Sequence, residues 1–339
     1  MKNKILIAGI GGASLGTEII KSLALSDKYE IYGCDISPLS YGHYVKDVIE
    51  TIVPLPFSYV EDIIDFCVDR KISYVIPGGE EPLKLLTQEI DKLLRYGIIL
   101  VANDIELIQT YSNKKTSFEK LLALNIDIPY TKEIDFETDL TNLPYPCVIK
   151  PYIDTGGSDG VYIVGNVEEC SVYRDFLLKS GRKIIAQEYI GIDEGEFTIG
   201  VLSLTDSSVV DAIVMKRIFN SKLSISFKNK YGIISSGYSQ GLIDDFPDIK
   251  HQAITIAKAI RSLGPINIQC RMRNGKIIPF EINPRFSAST YLRALAGFNE
   301  IDIFLQHLIT GENKFEYAIK PGYYLRSFTE NYIPKESKK

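Results

Sequence analysis

Strand and helix patterns alternate through the first hundred residues of the chain. Short apolar runs at KILIAGI, EIYGCDIS, SYVIP and IILVA are separated by segments with helical spacing, such as VEDIIDFCVDRK and PLKLLTQEIDKLLRYG. Strands that alternate with helices at this spacing form parallel βαβ units. The sequence therefore predicts a doubly wound parallel sheet at the start of the chain.

A glycine-rich turn follows the first predicted strand, and Asp35 follows the second. The turn contains Gly9, Gly11, Gly12 and Gly16, so its last glycine comes too late for a G-x-G-x-x-G motif. A glycine-rich turn of this kind lets a phosphate approach a helix N-terminus, and a later acidic residue can bind a ribose. We interpret the segment mainly as a tight turn between strand and helix, and an NAD-dependent oxidoreductase remains the alternative.

The pattern changes near residue 113. A helix, two strand–loop–strand segments and a short helix follow, and from about residue 195 the chain turns to longer hairpins. This change from α/β to α+β patterning predicts three domains and a tail, with the boundaries 1–112, 113–190, 191–330 and 331–339.

Composition narrows the possible functions. The 339 residues carry a net charge of −5, which argues against a protein whose main task is to hold nucleic acid. No apolar run is long enough to cross a membrane. The five cysteines and three histidines are scattered, which indicates a reducing cytoplasm and leaves the chemistry to carboxylates, amides, lysines and arginines.

Residues 266–285, INIQCRMRNGKIIPFEINPR, alternate apolar and polar side chains with a period of two. This pattern predicts a hairpin of two strands, each with one buried face. A two-residue turn would split the apolar set between both faces, whereas a three-residue connection with Gly275 left-handed keeps it together. The three-residue connection is therefore predicted, and it places Gln269, Glu281 and Asn283 on one face.

One carboxylate between two amide oxygens is a set of hard donors, with Arg285 nearby. Mg²⁺ takes few protein ligands and completes its shell with water and phosphate oxygens. Gln269, Glu281 and Asn283 are therefore the candidate metal ligands, with Glu281 able to bridge two ions. The alternative is a solvated polar strand face.

A second candidate site precedes this hairpin. The loop at residues 155–160, TGGSDG, lies between two strands and has the small residues that let backbone N–H groups face a phosphate. Lys150 stands at the end of the strand before it. The alternative is a mobile hairpin loop beside a surface lysine.

Taken together, these segments resemble the ATP-grasp superfamily, and most closely the large subunit of carbamoyl phosphate synthetase and its single-unit relatives. The resemblance covers residues 4–315 and rests on five segments in family order: SNKKTSFEKLL, PCVIKPYIDTGGSDGV, QEYIGIDEGEFTIGVL, NIQCRMRNGKIIPFEINPRFSAS and ALAGFNEIDIFLQHLITGE. It implies an ATP-grasp fold with an N-terminal Rossmann-like pre-ATP-grasp domain, a small lid at 113–190 and a larger catalytic domain at 191–330.

The resemblance also implies roles for individual residues. Phosphate contacts are implied for Lys114, Lys150, Gly156, Gly157 and Ser158, and adenine contacts for Gln187, Glu188 and Ile190. Ribose would be held by Glu196 or, because the preceding loop looks long, by Glu194. Metal binding is implied for Gln269, Glu281 and Asn283, and charge stabilisation during transfer for Arg285, with Lys216 or Arg217 as a further cation. Asn113 departs from the aspartate usual in relatives.

The resulting hypothesis is a ligase that uses ATP and Mg²⁺ to join a small-molecule carboxylate to an amine or similar nucleophile through an acyl phosphate. Two Mg²⁺ ions are expected, with Mn²⁺ as a substitute. A homodimer is left open, and Glu81 and residues 234–240 are candidate substrate contacts. The rival hypotheses are the NAD-dependent oxidoreductase and a non-catalytic ATP-binding protein.

Overall fold

The structure is a computed structural model that describes residues 2–153 and 158–335. The elements of the first part are β1 (Asn3–Ala8), α1 (Leu15–Ser26), β2 (Tyr29–Cys34), β3 (Glu50–Ile52), α2 (Tyr59–Arg70), β4 (Tyr74–Pro77), α3 (Glu80–Gln88), α4 (Ile90–Arg95), β5 (Ile99–Leu100), α5 (Ile105–Ser112), α6 (Lys114–Ala123), β6 (Thr131–Ile134), β7 (Cys147–Pro151), β8 (Tyr162–Val164), α7 (Val167–Lys179) and β9 (Ile184–Glu188).

The elements that follow are β10 (Glu196–Ser203), β11 (Val209–Arg217), β12 (Ile225–Asn229), β13 (Gly232–Ser235), β14 (Gly241–Ile243), α8 (Pro247–Ala259), β15 (Pro265–Arg273), β16 (Lys276–Asn283), α9 (Thr290–Leu295), α10 (Glu300–Thr310) and β17 (Gly322–Tyr324). Within the described ranges, no helix combines the length and the apolar character that crossing a membrane requires.

The chain divides into two compact units. The first comprises residues 1–103, 286–319 and 327–339, and the second comprises residues 104–285 and 320–326. The mixed α/β architecture predicted from the sequence is confirmed. The three-domain division is finer than this grouping and stays a prediction, and the segment 286–319 belongs with the first unit although the predicted catalytic domain included it.

The first unit is built on a parallel sheet in the order β3-β2-β1-β4-β5. Its central strand β1 pairs in parallel with both β2 and β4, so the parallel pairing predicted for the first hundred residues is confirmed. Apolar side chains of β1 and of the inner face of α2 are fully buried, among them Leu6, Ile63 and Cys67. The predicted alternation of strands and helices thus corresponds to one packed core.

The second unit contains two larger sheets and a two-stranded hairpin. A four-stranded sheet has the order β6-β9-β7-β8, and a six-stranded sheet has the order β16-β15-β10-β11-β14-β17. Helix α8 packs on one face of the six-stranded sheet, against a core that includes Ile199, Ile268 and Cys270. The opposite face of this sheet carries the polar residues described next.

Candidate functional site

The β15–β16 hairpin is connected by a two-residue turn, Asn274 and Gly275. Arg273 pairs with Lys276, and both turn residues have positive φ, 54° and 72°. This is the turn that an Asn-Gly pair favours, because both of its central residues need a left-handed backbone. The predicted three-residue connection with only Gly275 left-handed is therefore wrong.

A β-bulge at Phe280 corrects the register that the short turn would impose. Cys270 pairs with Pro279, whereas the next residue, Gln269, pairs with Glu281, so Phe280 is the extra residue. Because an extra residue changes which side chains share a face, the bulge brings odd-numbered residues of both strands together beyond it. The common face predicted for Gln269 and Glu281 is confirmed, but it arises from a two-residue turn and a bulge and not from a three-residue connection.

Gln269 and Glu281 lie directly opposite each other and are half-buried. Asn283 follows two residues after Glu281 and pairs with Asn267, so its side chain belongs to the same face. Arg285 follows immediately, with its backbone N–H donating to the carbonyl of Asn283 and its Nη2 3.5 Å from the Asn283 Oδ1. The structure therefore brings the predicted metal ligands and the predicted arginine together.

The donors of this face suit a hard divalent cation. Carboxylate and amide oxygens are ligands that Mg²⁺ accepts, and one carboxylate leaves coordination positions for water and phosphate. In residues 2–153 and 158–335, no group of three histidine, cysteine, aspartate or glutamate residues forms an alternative metal site. The residues present fit the ion that the sequence predicted.

Lys150, at the end of β7, reaches the same region from the four-stranded sheet. Its Nζ donates to the Oε1 of Gln187 at 2.8 Å and to the carbonyl of Phe280, the bulge residue, at 3.3 Å. Burial lowers the pKa of Lys150 to about 7, with the charge of Lys114 acting in the same direction and Glu281 opposing it. The charges of Lys114 and Glu281 therefore both act on the ammonium of Lys150.

Lys114 is positioned by the start of α6. Asn113 is the N-cap, and its Oδ1 accepts the backbone N–H groups of Lys115 at 2.9 Å and Thr116 at 3.3 Å. The N–H of Lys114 donates to the carbonyl of Tyr152. Asparagine performs the capping that an aspartate also performs, so the departure noted in the sequence leaves the helix start intact.

The predicted adenine-binding segment lies at the end of β9. The Gln187 amide is buried and hydrogen-bonded at both of its polar atoms. Its Oε1 accepts from Lys150, and its Nε2 donates to the hydroxyl of Thr131 at 3.0 Å. Glu188 accepts Arg273 at 2.6 Å. The carbonyl of Ile190 accepts a hydrogen bond from Arg271, whereas within the described residues its N–H has no acceptor. The side chain of Gln187 is thus committed to positioning Lys150.

Glu196 is the most buried carboxylate of this face, at 1 % exposure. Its Oε2 accepts the Nε of Arg271 at 2.9 Å, and its Oε1 lies 3.5 Å from the Nη1 of Arg217. Glu194, the alternative ribose ligand, accepts the backbone N–H groups of Asn274 and Gly275 and thereby fixes the hairpin turn. Both candidate ribose ligands therefore already have protein partners.

Lys216 and Arg217 lie on opposite faces of the six-stranded sheet. Lys216 pairs with Phe197, which pairs with Cys270 of the α8-facing core. Because paired residues of antiparallel strands share a face, Lys216 lies away from Gln269 and its assignment to the site is corrected. Arg217, one residue later, takes the polar face instead.

Arg271 is a site residue that the sequence interpretation did not assign. It pairs with Glu196 across β10 and β15, and its two terminal nitrogens donate to the carbonyls of Ile190 and Ile233, each at 2.6 Å. Its guanidinium also lies 4.6 Å from the ring centroid of Tyr189. The odd-numbered alternation in residues 266–285 contained this signal, because it placed Arg271 on the face of Gln269.

Of the predicted phosphate loop, Gly156 and Gly157 lie outside the described residues. Ser158 has a positive φ of 67°, and its hydroxyl donates to the carbonyl of Ser235 at 2.8 Å. Ser235 and its neighbours belong to residues 234–240, the predicted substrate contacts. Arg217 donates to the carbonyl of Ser236 in the same segment at 2.7 Å.

In the first unit, the glycine-rich turn has a packing role. A Cβ on Gly16 would lie 1.8 Å from the carbonyl oxygen of Gly9, and one on Gly78 would lie 2.0 Å from the same oxygen. Asp35 accepts the backbone N–H groups of Ile10 at 3.0 Å and Ser37 at 3.0 Å. The carboxylate that a dinucleotide site would use for ribose therefore stabilises the turns, which favours the tight-turn interpretation. Glu81 is exposed in the first turn of α3.

Solved structures with the same fold provide the first comparison. The structure of the L-amino acid ligase from Bacillus licheniformis matches with a TM-score of 0.66 at 17% identity, over 91% of this chain and 74% of that one. N5-carboxyaminoimidazole synthetase from Staphylococcus aureus, complexed with ADP, matches with a TM-score of 0.69 at 16% identity, over 95% and 82%. A family model described as "ATP-grasp in the biosynthetic pathway with Ter operon" matches residues 182–330, which include both strands of the metal-ligand hairpin. Residues 182–330 of the chain thus match an ATP-grasp domain.

Curated relatives of this chain include large chains of carbamoyl phosphate synthase. The protein from Thermoplasma volcanium is 22% identical over 336 residues, which is 93% of this chain and 31% of that one. The protein from Archaeoglobus fulgidus is 27% identical over 246 residues, which is 65% of this chain and 21% of that one. The chain therefore spans less than a third of the length of these relatives.

Proposed function

We propose that the protein is an ATP- and Mg²⁺-dependent ligase that joins a carboxylate to an amine or similar nucleophile. The observation that carries this proposal is the pairing of Gln269 with Glu281 on a half-buried face, with the buried ammonium of Lys150 beside them. Oxygen ligands for a cation next to lysines that suit phosphates are what phosphoryl transfer needs. The ATP-grasp ligases with the same fold support the same reaction class.

The proposed reaction has two steps. A carboxylate oxygen attacks the γ-phosphorus of ATP, the bond to the β–γ bridging oxygen breaks, and ADP leaves. The amine nitrogen then attacks the acyl carbon, the carbon–oxygen bond to the phosphate breaks, and inorganic phosphate leaves, while the amine proton passes to solvent. Catalysis by positioning and charge neutralisation fits a site with no histidine or reactive cysteine among its described residues.

The nucleotide is assigned to the side of the site formed by Lys114, Lys150 and the end of β9. The lysines would neutralise phosphate oxygens, and the Ile190 N–H would donate to adenine, with Glu188 beside it. Gln187 would act by holding Lys150, because its amide is already bound to that side chain. Glu196 would reach ribose only by sharing its oxygens with Arg217 and Arg271.

Gln269, Glu281 and Asn283 would hold Mg²⁺, with Mn²⁺ as a substitute and two ions as the proposed number. The ion supplies charge neutralisation for the transferring phosphoryl group. Arg285, bonded to Asn283, would neutralise charge on the transferred phosphate. Gly156, Gly157 and Ser158 are proposed to close over the phosphates.

The remaining parts of the proposal concern organisation. The parallel sheet of residues 1–112 is assigned as a Rossmann-like pre-ATP-grasp domain, followed by a lid at 113–190 and a catalytic domain at 191–330. Five free, buried thiols suit a cytoplasmic location. Small-molecule substrates and a homodimer complete the proposal.

Hydroxylamine tests the reaction whatever the natural amine is, because it can replace that amine as the nucleophile. The purified chain is incubated with ATP, Mg²⁺, hydroxylamine and each of a panel of amino acids and small dicarboxylates, and hydroxamate, ADP and phosphate are measured. The proposal expects ADP and hydroxamate in equal amounts with at least one carboxylate. Cleavage of ATP to AMP, or binding of NADH without binding of ATP, would contradict it.

A further inference from the structure

Several large apolar side chains of the first unit lie on the surface at one edge of its parallel sheet. Strand β3 stands at one end of the strand order β3-β2-β1-β4-β5 and is therefore the outer strand on that side. The exposed side chains belong to residues 36–57, which contain β3, the loop before it and the segment after it. We call the following set the edge patch, whose six members are between 37 % and 86 % exposed: Ile36, Leu39, Ile49, Val53, Leu55 and Phe57.

The contacts of His43 bring the parts of the edge patch together. Thr51 is the middle residue of β3, and the patch residues two positions before and after it lie on the same face of the extended chain. The Nδ1 of His43 is 2.8 Å from the Thr51 hydroxyl, and its Nε2 is 3.1 Å from the carbonyl of Ser37. Since Ser37 belongs to the loop that carries the first two patch residues, that loop lies beside β3.

Hydrogen bonds fix the backbone that carries these side chains. In the loop before β3, the Tyr44 hydroxyl donates to the carbonyl of Pro38 at 2.7 Å. After β3, Asp62 accepts the backbone N–H of Leu55 at 2.8 Å, and the N–H of Ser58 donates to the carbonyl of Leu55 at 3.2 Å. These polar groups bond within the fold while the apolar side chains face solvent. A surface fixed in this way loses little conformational entropy when it associates with a partner.

The edge patch is large for the surface of a monomeric protein. From the exposed fractions, its six side chains present on the order of 700 Å² of surface, compared with roughly 300–600 Å² for the largest apolar patch on a typical monomer. An interface of standard size takes about 800 Å² from each partner. The edge patch alone therefore supplies most of the area that a stable dimer needs.

The edge patch also lacks charge. Its two segments outside β3, ISPL at residues 36–39 and VPLPF at residues 53–57, contain no acidic or basic residue. The core of a protein interface is depleted in charged residues and enriched in aromatic ones. A membrane surface or a nucleic acid would instead select basic side chains. An uncharged apolar surface fits a copy of itself, because no like charges meet across a twofold axis.

We propose that the edge patch is a homodimer interface, in which it packs against the edge patch of a second copy of this chain about a twofold axis. Phe57, the most exposed of the six side chains, is expected to contribute most, since large aromatic anchors dominate the energetics of interfaces. The inference rests on the homodimer named in the proposed function and not on the proposed chemistry.

Sedimentation velocity over a range of chain concentrations tests this interface. The full chain is compared with the variants F57E and F57A and with the matched control F176E. Phe176 is also an exposed phenylalanine, but it lies on α7 of the second unit and outside the edge patch. Circular dichroism and MgADP binding are measured for every variant, so that a change in folding or in the nucleotide site is detected separately.

The wild type and F176E are expected to dimerise with dissociation constants within about twofold of each other, since a substitution outside the interface leaves the contact intact. F57E is expected to raise the dissociation constant by about 100-fold or more, because each dimer loses two aromatic anchors and gains two charges at the contact. F57A should be intermediate. Circular dichroism and the affinity for MgADP should stay unchanged in all variants, because the substituted side chains are exposed.

A wild type that stays monomeric at every concentration would overturn the inference. Binding of that monomer to phosphatidylcholine vesicles would overturn it as well and would assign the edge patch to lipid. A dimer that F57E leaves intact would place the interface elsewhere, with the same consequence. If the wild type dimerises through Phe57 but neither binds MgADP nor forms hydroxamate, the proposed chemistry fails while this interface stands.

Discussion

We predict that loss of the buried Glu196–Arg271 ion pair destabilises the protein strongly. The more exposed pair Glu188–Arg273 serves as the experimental control. The glutamine variant E196Q keeps the shape of the side chain but leaves the guanidinium groups of Arg271 and Arg217 without their carboxylate. The pair is 2.8 Å apart with side chains 0 % and 6 % exposed. Removing one partner of a buried pair costs about 3–5 kcal/mol, so E196Q is expected to lose that much of its free energy of unfolding.

The control E188Q removes the same kind of partner from Arg273, at 2.6 Å, but these side chains are 28 % and 42 % exposed. A solvent-exposed pair contributes about 0–1 kcal/mol, so E188Q is expected to change stability by less than 1 kcal/mol. Urea denaturation followed by far-UV circular dichroism, without nucleotide, measures both variants. Equal losses in E196Q and E188Q, or a loss below 1 kcal/mol in E196Q, would refute the claim that Glu196 mainly neutralises buried arginines.

Three further predictions concern the metal-ligand face, the lysine and the glycines. Replacing Glu281 by glutamine is expected to lower hydroxamate formation by about 100-fold or more while circular dichroism stays unchanged, since charge stabilisation of the transition state is lost; retained activity would contradict the metal assignment. The pKa of about 7 predicts that Lys150 is mostly neutral at pH 8 in the free protein. Because phosphates favour the charged form of Lys150, ATP binding should take up close to one proton at pH 8, and the affinity for ATP should fall as pH rises above 7. Calorimetry in two buffers of different ionisation enthalpy measures the proton uptake. The variant K150M should lose this uptake. In the first unit, G16A is expected to cost more than about 2 kcal/mol, because the new Cβ meets the backbone of Gly9. G275A, with open space and only an unfavourable φ, should cost about 1 kcal/mol in the same urea assay.

The sequence was most informative where one physical pattern dominated. Alternating strands and helices predicted the parallel pairing of β1 with β2 and β4, and the period-two alternation predicted that Gln269 and Glu281 share a face. Burying an apolar set on one side of a sheet leaves few registers, so the face could be predicted without knowing the turn.

The connection between the two strands could not be predicted, because two different connections give the same pairing of Gln269 with Glu281. A three-residue connection and a two-residue turn followed by a bulge at Phe280 both bring Gln269 opposite Glu281. Local Asn-Gly chemistry favoured the two-residue turn, and the apolar pattern then required the bulge further along the strand.

Residues joined by long-range pairing were missed or misplaced. Lys216 was grouped with Arg217 because they are adjacent, yet neighbours on a strand point to opposite faces. The pairing of β17 with β14, about 80 residues earlier in the chain, was not predicted either. Neither sequence spacing nor local propensity reports such a pairing.

Strand β17 lies far along the chain from the other strands of its sheet, and this matters when the protein is cut into fragments. The second unit needs residues 320–326 in addition to 104–285, and the chain leaves for the first unit between them. A fragment that stopped at residue 285 would lack the outer strand of the six-stranded sheet and expose the backbone groups of β14. Unpaired strand edges promote association between chains. A fragment of the second unit for expression would therefore need β17 rejoined to it through a short linker, as in a circular permutant.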